Sequence, residues 1–252
     1  EVRAIGRELG LPEAIVGRVL DASEGNPLFL RELLRLLVDD GVLVSDGDRW
    51  TVTVEVDAIE LPASVHATIA ARIEQLGADE RTVLQAAAVV GRHFARGAVA
   101  ALLPPVLADR LDALLSSLHR RALGDPEGTG WDDERMFRFH HALIRDAAYR
   151  RVLKEVRADL HVRYADWLIL RPGEHDEVLG HHLGEAIGYR RELGEAVDPG
   201  LVDRAAGHLA TAGRRALDTD DVVSAASLLG RALELTPGDV VLLRDRAEAL
   251  VA

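Results

Sequence analysis

At 252 residues, 48% of them apolar, the chain is long enough for one large domain or two to three small ones, each with its own core. It holds no cysteine and one methionine, which excludes disulfides and thiolate zinc sites and points to a reducing, cytoplasmic compartment. A formal charge of -12 disfavours broad contact with the phosphates of nucleic acid, and no run approaches the roughly 20 apolar residues of a membrane span.

The opening Glu1-Val2-Arg3 carries neither an initiator methionine nor a signal-peptide pattern and reads as the start of a fragment of a longer protein. Apolar spacing predicts a helix over residues 11–20, from Leu11 to Leu20, broken by the turn-forming run Asp21-Ala22-Ser23-Glu24-Gly25. A second helix starts with Asn26 as N-cap and Pro27 at the first helical position. It carries Phe29, Leu33, Leu36 and Leu37 on one face and stops at Gly41. Residues 42–56 alternate around Ser45-Asp46-Gly47-Asp48, the pattern of a short hairpin that includes Trp50. After Leu61-Pro62, a third helix presents Val65, Ile69, Ile73 and Leu76. A fourth, capped by Asp79, presents Val83, Leu84, Ala87 and Ala88 before Gly91.

The fifth predicted helix covers 106–122, with Leu107, Leu111, Leu114, Leu115 and Leu118 on one face. Residues 124–130 read as a turn-rich segment, and Met136-Phe137-Arg138-Phe139 as a strand returning from a hairpin. Three helices followed by a hairpin is the winged-helix order. Helices are then expected over 141–152 and 155–170, the latter with Val156, Leu160, Tyr164 and Trp167 inward, until Arg171-Pro172-Gly173 breaks the chain. In the last third, Leu209, Ala212, Gly213, Ala216, Ala225, Leu229, Ala232 and Pro237 sit at the spacings of one tetratricopeptide (TPR) unit. Small residues at 213 and 225 let the paired helices approach, and a helix over 240–251 would begin the next unit.

The segments SEGNPLFLRELLRLLVDDGVL, LPASVHATIAARIEQLGADERTVLQAAAVVGRHF and FRFHHALIRDAAYRRVL, followed by the repeat-like tail, resemble bacterial STAND or AAA-type signalling ATPases attached to class III cyclases or to large LuxR-type regulators. The resemblance implies an order of nucleotide-binding domain, helical lid, winged helix and repeat superhelix, of which this chain would hold the last three. It implies ADP or ATP with Mg in the intact parent and none in this portion alone. The chain has no GxxxxGK[ST] loop to cradle phosphates, so it is not expected to be an enzyme by itself and no residue is assigned as catalytic.

Four residues are nucleotide-contact candidates on this resemblance. Gly25, Asn26 and Pro27 match the GxP element that lies against adenine in similar proteins; the alternative is a well-capped helix start. His141 aligns with the histidine of the MHD motif, which contacts the β-phosphate of ADP; the alternative is a residue capping or packing the junction between hairpin and helix. Ala142 stands where that motif has its aspartate, and His140 is assigned to packing or solvent.

Two other clusters invite function. Arg145, Arg150, Arg151, Lys154, Arg157 and Arg163 form a basic stretch, but Asp146, Glu155 and Asp159 interleave near i±4 spacing, as on a solvated face; contact between domains and nucleic acid are the alternatives. His175, His181 and His182 lie among Glu174, Asp176, Glu177 and Glu185. Adjacent histidines diverge by about 100° on a helix, and His182 beside Leu179 and Leu183 reads as a core residue, so no metal site is expected.

The sequence thus predicts an all-α chain with small β-hairpin wings: a helical lid end over 1–57, a winged-helix domain with connecting helices over 58–170, and truncated TPR-like repeats over 171–252. The expected function is a nucleotide-gated regulatory and interaction module. Its partners would be the nucleotide-binding domain of the same chain and a protein or small-molecule signal on the repeats, with no membrane. The rivals are a winged-helix DNA-binding regulator and a plain TPR scaffold for a protein partner.

Overall fold

The computed structural model describes residues 13–45, 50–56, 59–130 and 133–251. Leu11 and the hairpin residues Asp46, Gly47 and Asp48, on which expectations above also rest, lie outside them. The described chain is mainly helical, with one two-stranded and one three-stranded antiparallel sheet. Among the described residues no helix is long and apolar enough to cross a membrane.

Helix α1 (Glu13–Ser23) runs further into the predicted turn than expected, and the break comes at Glu24 and Gly25, both with positive φ. Helix α2 (Pro27–Asp39) starts where its capping chemistry requires: the Asn26 side-chain oxygen Oδ1 accepts from the backbone N–H groups of Leu28 and Phe29 at 3.0 and 3.2 Å. Phe29, Leu33, Leu36 and Leu37 are all buried, and Gly41, at φ +68, ends the run. Strands β1 (Leu43–Ser45) and β2 (Trp50–Val52) form the expected hairpin in register Leu43↔Val52. With α1 and α2 they enclose a first core around Ile15, Val19, Leu33 and Leu37.

Helix α3 (Val65–Glu74) is capped by Ser64, and α4 (Ala78–Val90) buries Val83, Leu84, Ala87 and Ala88 as predicted. The cap of α4 is not Asp79. The helix begins two residues earlier, with Gly77 at the cap position and its N–H donating to Glu80 Oε2 at 3.0 Å, while the Asp79 carboxylate pairs with Arg110 at 2.8 Å. Two elements then appear that the sequence pattern did not show: strand β3 (His93–Ala95) and helix α5 (Arg96–Leu102).

The single helix expected over 106–122 is two: α6 (Pro105–Ala108), opened by Pro104-Pro105, and α7 (Leu111–Arg120). The break sits at Arg110, whose backbone (φ -101, ψ 4) leaves helical geometry, while the leucine spacing runs straight through it. The turn-rich segment is also corrected. Residues Gly124–Thr129 are strand β4, bulged between Pro126 and Gly128 and paired with β5 (Arg135–Phe139). The sheet order β3-β5-β4 makes β4 an edge, where the missing N–H of Pro126 costs least.

Helices α8 (Ala142–Arg150) and α9 (Lys154–Leu168) follow. Leu160, Tyr164 and Trp167 are buried, but Val156 is 43% exposed, against expectation, because it falls in the first turn of α9 beyond the packed part of its face. The turn at 171–173 separates α9 from α10 (Asp176–Glu192), yet the large central core runs across it to Leu179, Leu183, Ile187, Leu201 and Ala205. Helices α11 (Pro199–Asp218), α12 (Val222–Leu235) and α13 (Val240–Val251) pack each on the one before, over a smaller core centred on Leu209, Ala225, Leu229 and Ala232. Connections this short between packed helices make neighbours antiparallel. A Cβ on Gly213 would lie 2.7 Å from the Leu229 side chain, so the small residue there is what allows α11 and α12 to touch.

Candidate functional site

Gly25, Asn26 and Pro27 are exposed at the start of α2. Asn26 occupies the N–H groups of Leu28 and Phe29, and Pro27 has none to offer. This helix end therefore has little left with which to hold a phosphate, and what it offers a ligand is the flat apolar ring of Pro27.

His141 is half-buried and caps α8: its Nδ1 accepts from the Leu143 N–H at 3.2 Å. An acceptor Nδ1 puts the ring proton of the neutral form on Nε2, and Nε2 has no partner among the described residues. One nitrogen is thus structural and the other remains a donor. Pro27 and Arg35 are eight residues apart on α2, about 12 Å of helix rise. Arg35 in turn reaches His140, the neighbour of His141.

His140, assigned from sequence to packing or solvent, is a bridge. Its Nδ1 meets Asp125 Oδ2 at 2.7 Å and its Nε2 meets Arg35 Nη2 at 3.2 Å. Because the guanidinium can only donate, Nε2 accepts and Nδ1–H donates to Asp125. His119 Nδ1 approaches the other Asp125 oxygen at 3.1 Å. Burial alone would raise Asp125, but its hydrogen bonds with His140 and His119 hold its carboxyl below the usual carboxylate range.

Beneath this bridge lies an ion network. Glu32, completely buried on α2, accepts from Arg72 Nη1 and, at 3.0 Å, from Arg35 Nη1. Arg72 also donates from Nε to Asp39 at 3.0 Å and from Nη2 to the carbonyl of Arg121. Every face of this buried guanidinium is satisfied, as burial of a charge demands. The network joins α2 to α3 and to the end of α7, while Arg35 and His140 join α2 to the end of β5. Residues 13–45 are thereby tied to the β3-β5-β4 unit by charge.

A second polar cluster lies between α8, α9 and α10. Arg157 donates to Tyr189 Oη at 3.3 Å, the Tyr189 and Tyr149 hydroxyls are 2.9 Å apart, Tyr149 Oη lies 2.8 Å from His161 Nε2, and His161 Nδ1 lies 2.8 Å from His182 Nδ1. With Arg157 as an obligate donor, one consistent polarity runs from Arg157 through both tyrosines and His161 to His182. Burial lowers His161 to about 3 and His182 to about 2, so both are neutral at physiological pH. Burial, then the bond to Tyr189, raises the Tyr149 hydroxyl, and it stays protonated. His182 is the core residue that Leu179 and Leu183 suggested, but its partner His161 was not foreseen.

The basic stretch 145–163 is used in contacts between elements rather than in the expected i±4 pairs. Lys154 pairs with Glu192 at 2.9 Å, Arg151 with Glu74 at 3.2 Å and Arg190 with Asp159 at 3.4 Å, and Arg163 donates to the Ala101 carbonyl. On α7, Asp112 takes both Arg96 and Arg135. Among the described residues no group of three or more His, Cys, Asp or Glu could hold a metal ion. No protein-family model, no curated protein and no solved structure matches the chain.

Proposed function

We propose that this chain is the regulatory and sensor portion of a STAND-type ATP-binding signalling protein: the end of a helical lid, a winged helix, and the start of a TPR-like superhelix, working in the cytoplasm. The observation that carries the reading is the ion network Glu32–Arg72–Asp39 with the Arg35–His140–Asp125 bridge. A junction held by buried charge has few intermediate arrangements and suits a two-state hinge. The order α4, β3, α5, the short α6, α7, β4, β5 with sheet order β3-β5-β4 supports the winged helix, and the stacked helices α10 to α13 with Gly213 at a close approach support the repeats.

In this mechanism the nucleotide-binding domain of the same protein holds ADP or ATP with Mg, and this chain closes on it. The fit of its own residues to a nucleotide is limited to the Pro27 ring against a base and the His141 Nε2–H toward an anionic oxygen. Asn26 keeps α2 capped, Gly25 sets the turn before it, and the junction fixes α2 relative to β5 and α8. A signal bound on the repeats would favour the open arrangement only through a difference in affinity for the two states.

The test is ADP affinity in the protein carrying its nucleotide-binding domain. His141→Asn retains an acceptor for the Leu143 N–H and so the α8 cap. Together with Pro27→Ala it is expected to weaken ADP binding while the fold is kept. Unchanged affinity in both variants would sink the reading and leave His141 as a capping residue.

A further inference from the structure

We infer a second ligand site, independent of the switch reading: a cavity of about 230 Å³ at the junction that takes a small aryl anion, one flat ring joined to a phosphate or carboxylate.

The charge of the cavity is the first reason. Its lining includes Arg31, Arg35, Arg72, Arg120 and Arg121 against the single carboxylate of Asp39, in a chain whose formal charge is -12. Such a local reversal attracts anions. Two of the five are already engaged, Arg72 in the buried network and Arg35 with Glu32 and His140. The others have donors to spare. Arg31 approaches Glu32 only at 4.0 Å, Arg121 approaches Glu80 only at 3.8 Å, and Arg120, within charge range of Glu80, makes no hydrogen bond or ion pair among the described residues. The dipole of α7 accounts for basic residues in its last turn, but not for Arg31 facing the same space from α2. Guanidinium groups from two elements converging on one cavity match the planar, two-pronged geometry of phosphate and carboxylate.

The rest of the wall supplies the second reason. Leu34, Val38, Leu43 and Trp50 line it, and Val38 remains 41% exposed. The aliphatic stems of the arginines add to this surface. A bare inorganic ion would leave the apolar side unused, whereas an aromatic ring has Trp50 to stack on. The volume lies below the roughly 300–1,000 Å³ of pockets for drug-sized ligands, which limits the occupant to about one ring with its anionic group.

The experiment is calorimetric titration of the full chain with phenyl phosphate and with benzoate, beside inorganic phosphate and benzylamine. The expected result is saturable one-site binding of an aryl anion, weaker binding of inorganic phosphate, and none of benzylamine. Phenyl phosphate binding the tighter assigns a phosphate ligand; benzoate binding the tighter assigns a carboxylate. Arg120→Glu and Arg31→Gln, both at exposed positions, are each expected to weaken it roughly tenfold, and circular dichroism checks the fold. Should Arg120→Glu unfold the chain, Arg120→Gln reads the same contact. Absence of saturable binding by both aryl anions, or binding unchanged in the folded variants, overturns the assignment.

Discussion

Replacing Arg72 with methionine removes the centre of the junction and leaves the rest of the packing in place. The guanidinium is 1% exposed and the Glu32 carboxylate beside it 0%. Methionine matches the aliphatic stem, so the cost falls on stranded polar groups: Glu32 keeps Arg35 as its one hydrogen-bonded cation with Arg31 at 4.0 Å, Asp39 loses its Nε donor, and the Arg121 carbonyl loses its partner. Breaking a buried pair by removing one member costs about 3–5 kcal/mol. Because Arg35 still compensates Glu32, the expected value is near the lower end, about 3 kcal/mol, or about 6–12 °C in melting temperature for a chain of this size. The assay is urea unfolding followed by circular dichroism and tryptophan fluorescence. The double variant Glu32→Leu, Arg72→Met is expected to cost less than the sum of the two singles by about 1–3 kcal/mol, since it removes the stranded charge as well. A loss below about 1 kcal/mol for Arg72→Met, or additivity within about 0.5 kcal/mol, refutes the reasoning.

Helix α11 supplies an internal comparison. Gly213→Val would drive its Cβ into Leu229, whose side chain and backbone N lie 2.7 and 3.3 Å away, and is expected to destabilise by about 1–3 kcal/mol. Gly207→Ala, with nothing within 4 Å, should instead gain about 0.5–1 kcal/mol in the same denaturation assay. Asn26→Ala should cost about 1 kcal/mol and Asn26→Ser much less, read from thermal melts; equal losses would contradict the capping role. The His161–His182 pair gives a pH dependence: both are held below the ordinary histidine value near 6.5, so the unfolded chain binds their protons more readily. Their contribution is full above pH 6.5 and is lost as pH falls toward 3, and His182→Gln should flatten this part of a stability–pH curve.

The helical frame was legible wherever local chemistry decides it. Asn26-Pro27 marks the start of α2 without any tertiary contact, and Gly213 with Ala225 marks a close helix pair because only small residues leave that space. What escaped depends on distant partners. Strand β3 is three residues long and exists through its pairing with β5, so no period could reveal it. Strand β4 reads as a turn because Pro126 and Gly128 are turn residues, and only its edge position makes them tolerable. The junction had a signal that periodicity alone passes over. Glu32 lies three residues after Phe29 and four before Leu36, and Arg72 three after Ile69, each a charge inside an apolar stripe. A charge there calls for a buried partner, and the two partners are each other. His161, three after Ala158 and four before Ala165, carries the same mark.

In the proposed mechanism this chain, with α2 and α8 held together by the junction, closes on the nucleotide-binding domain with ADP and opens with ATP. Amide hydrogen exchange in the protein carrying its nucleotide-binding domain, loaded with ADP or with ATP and Mg, tests it most directly. Slower exchange over α2 and the first turn of α8 is expected with ADP than with ATP. Identical exchange in the two states would contradict it.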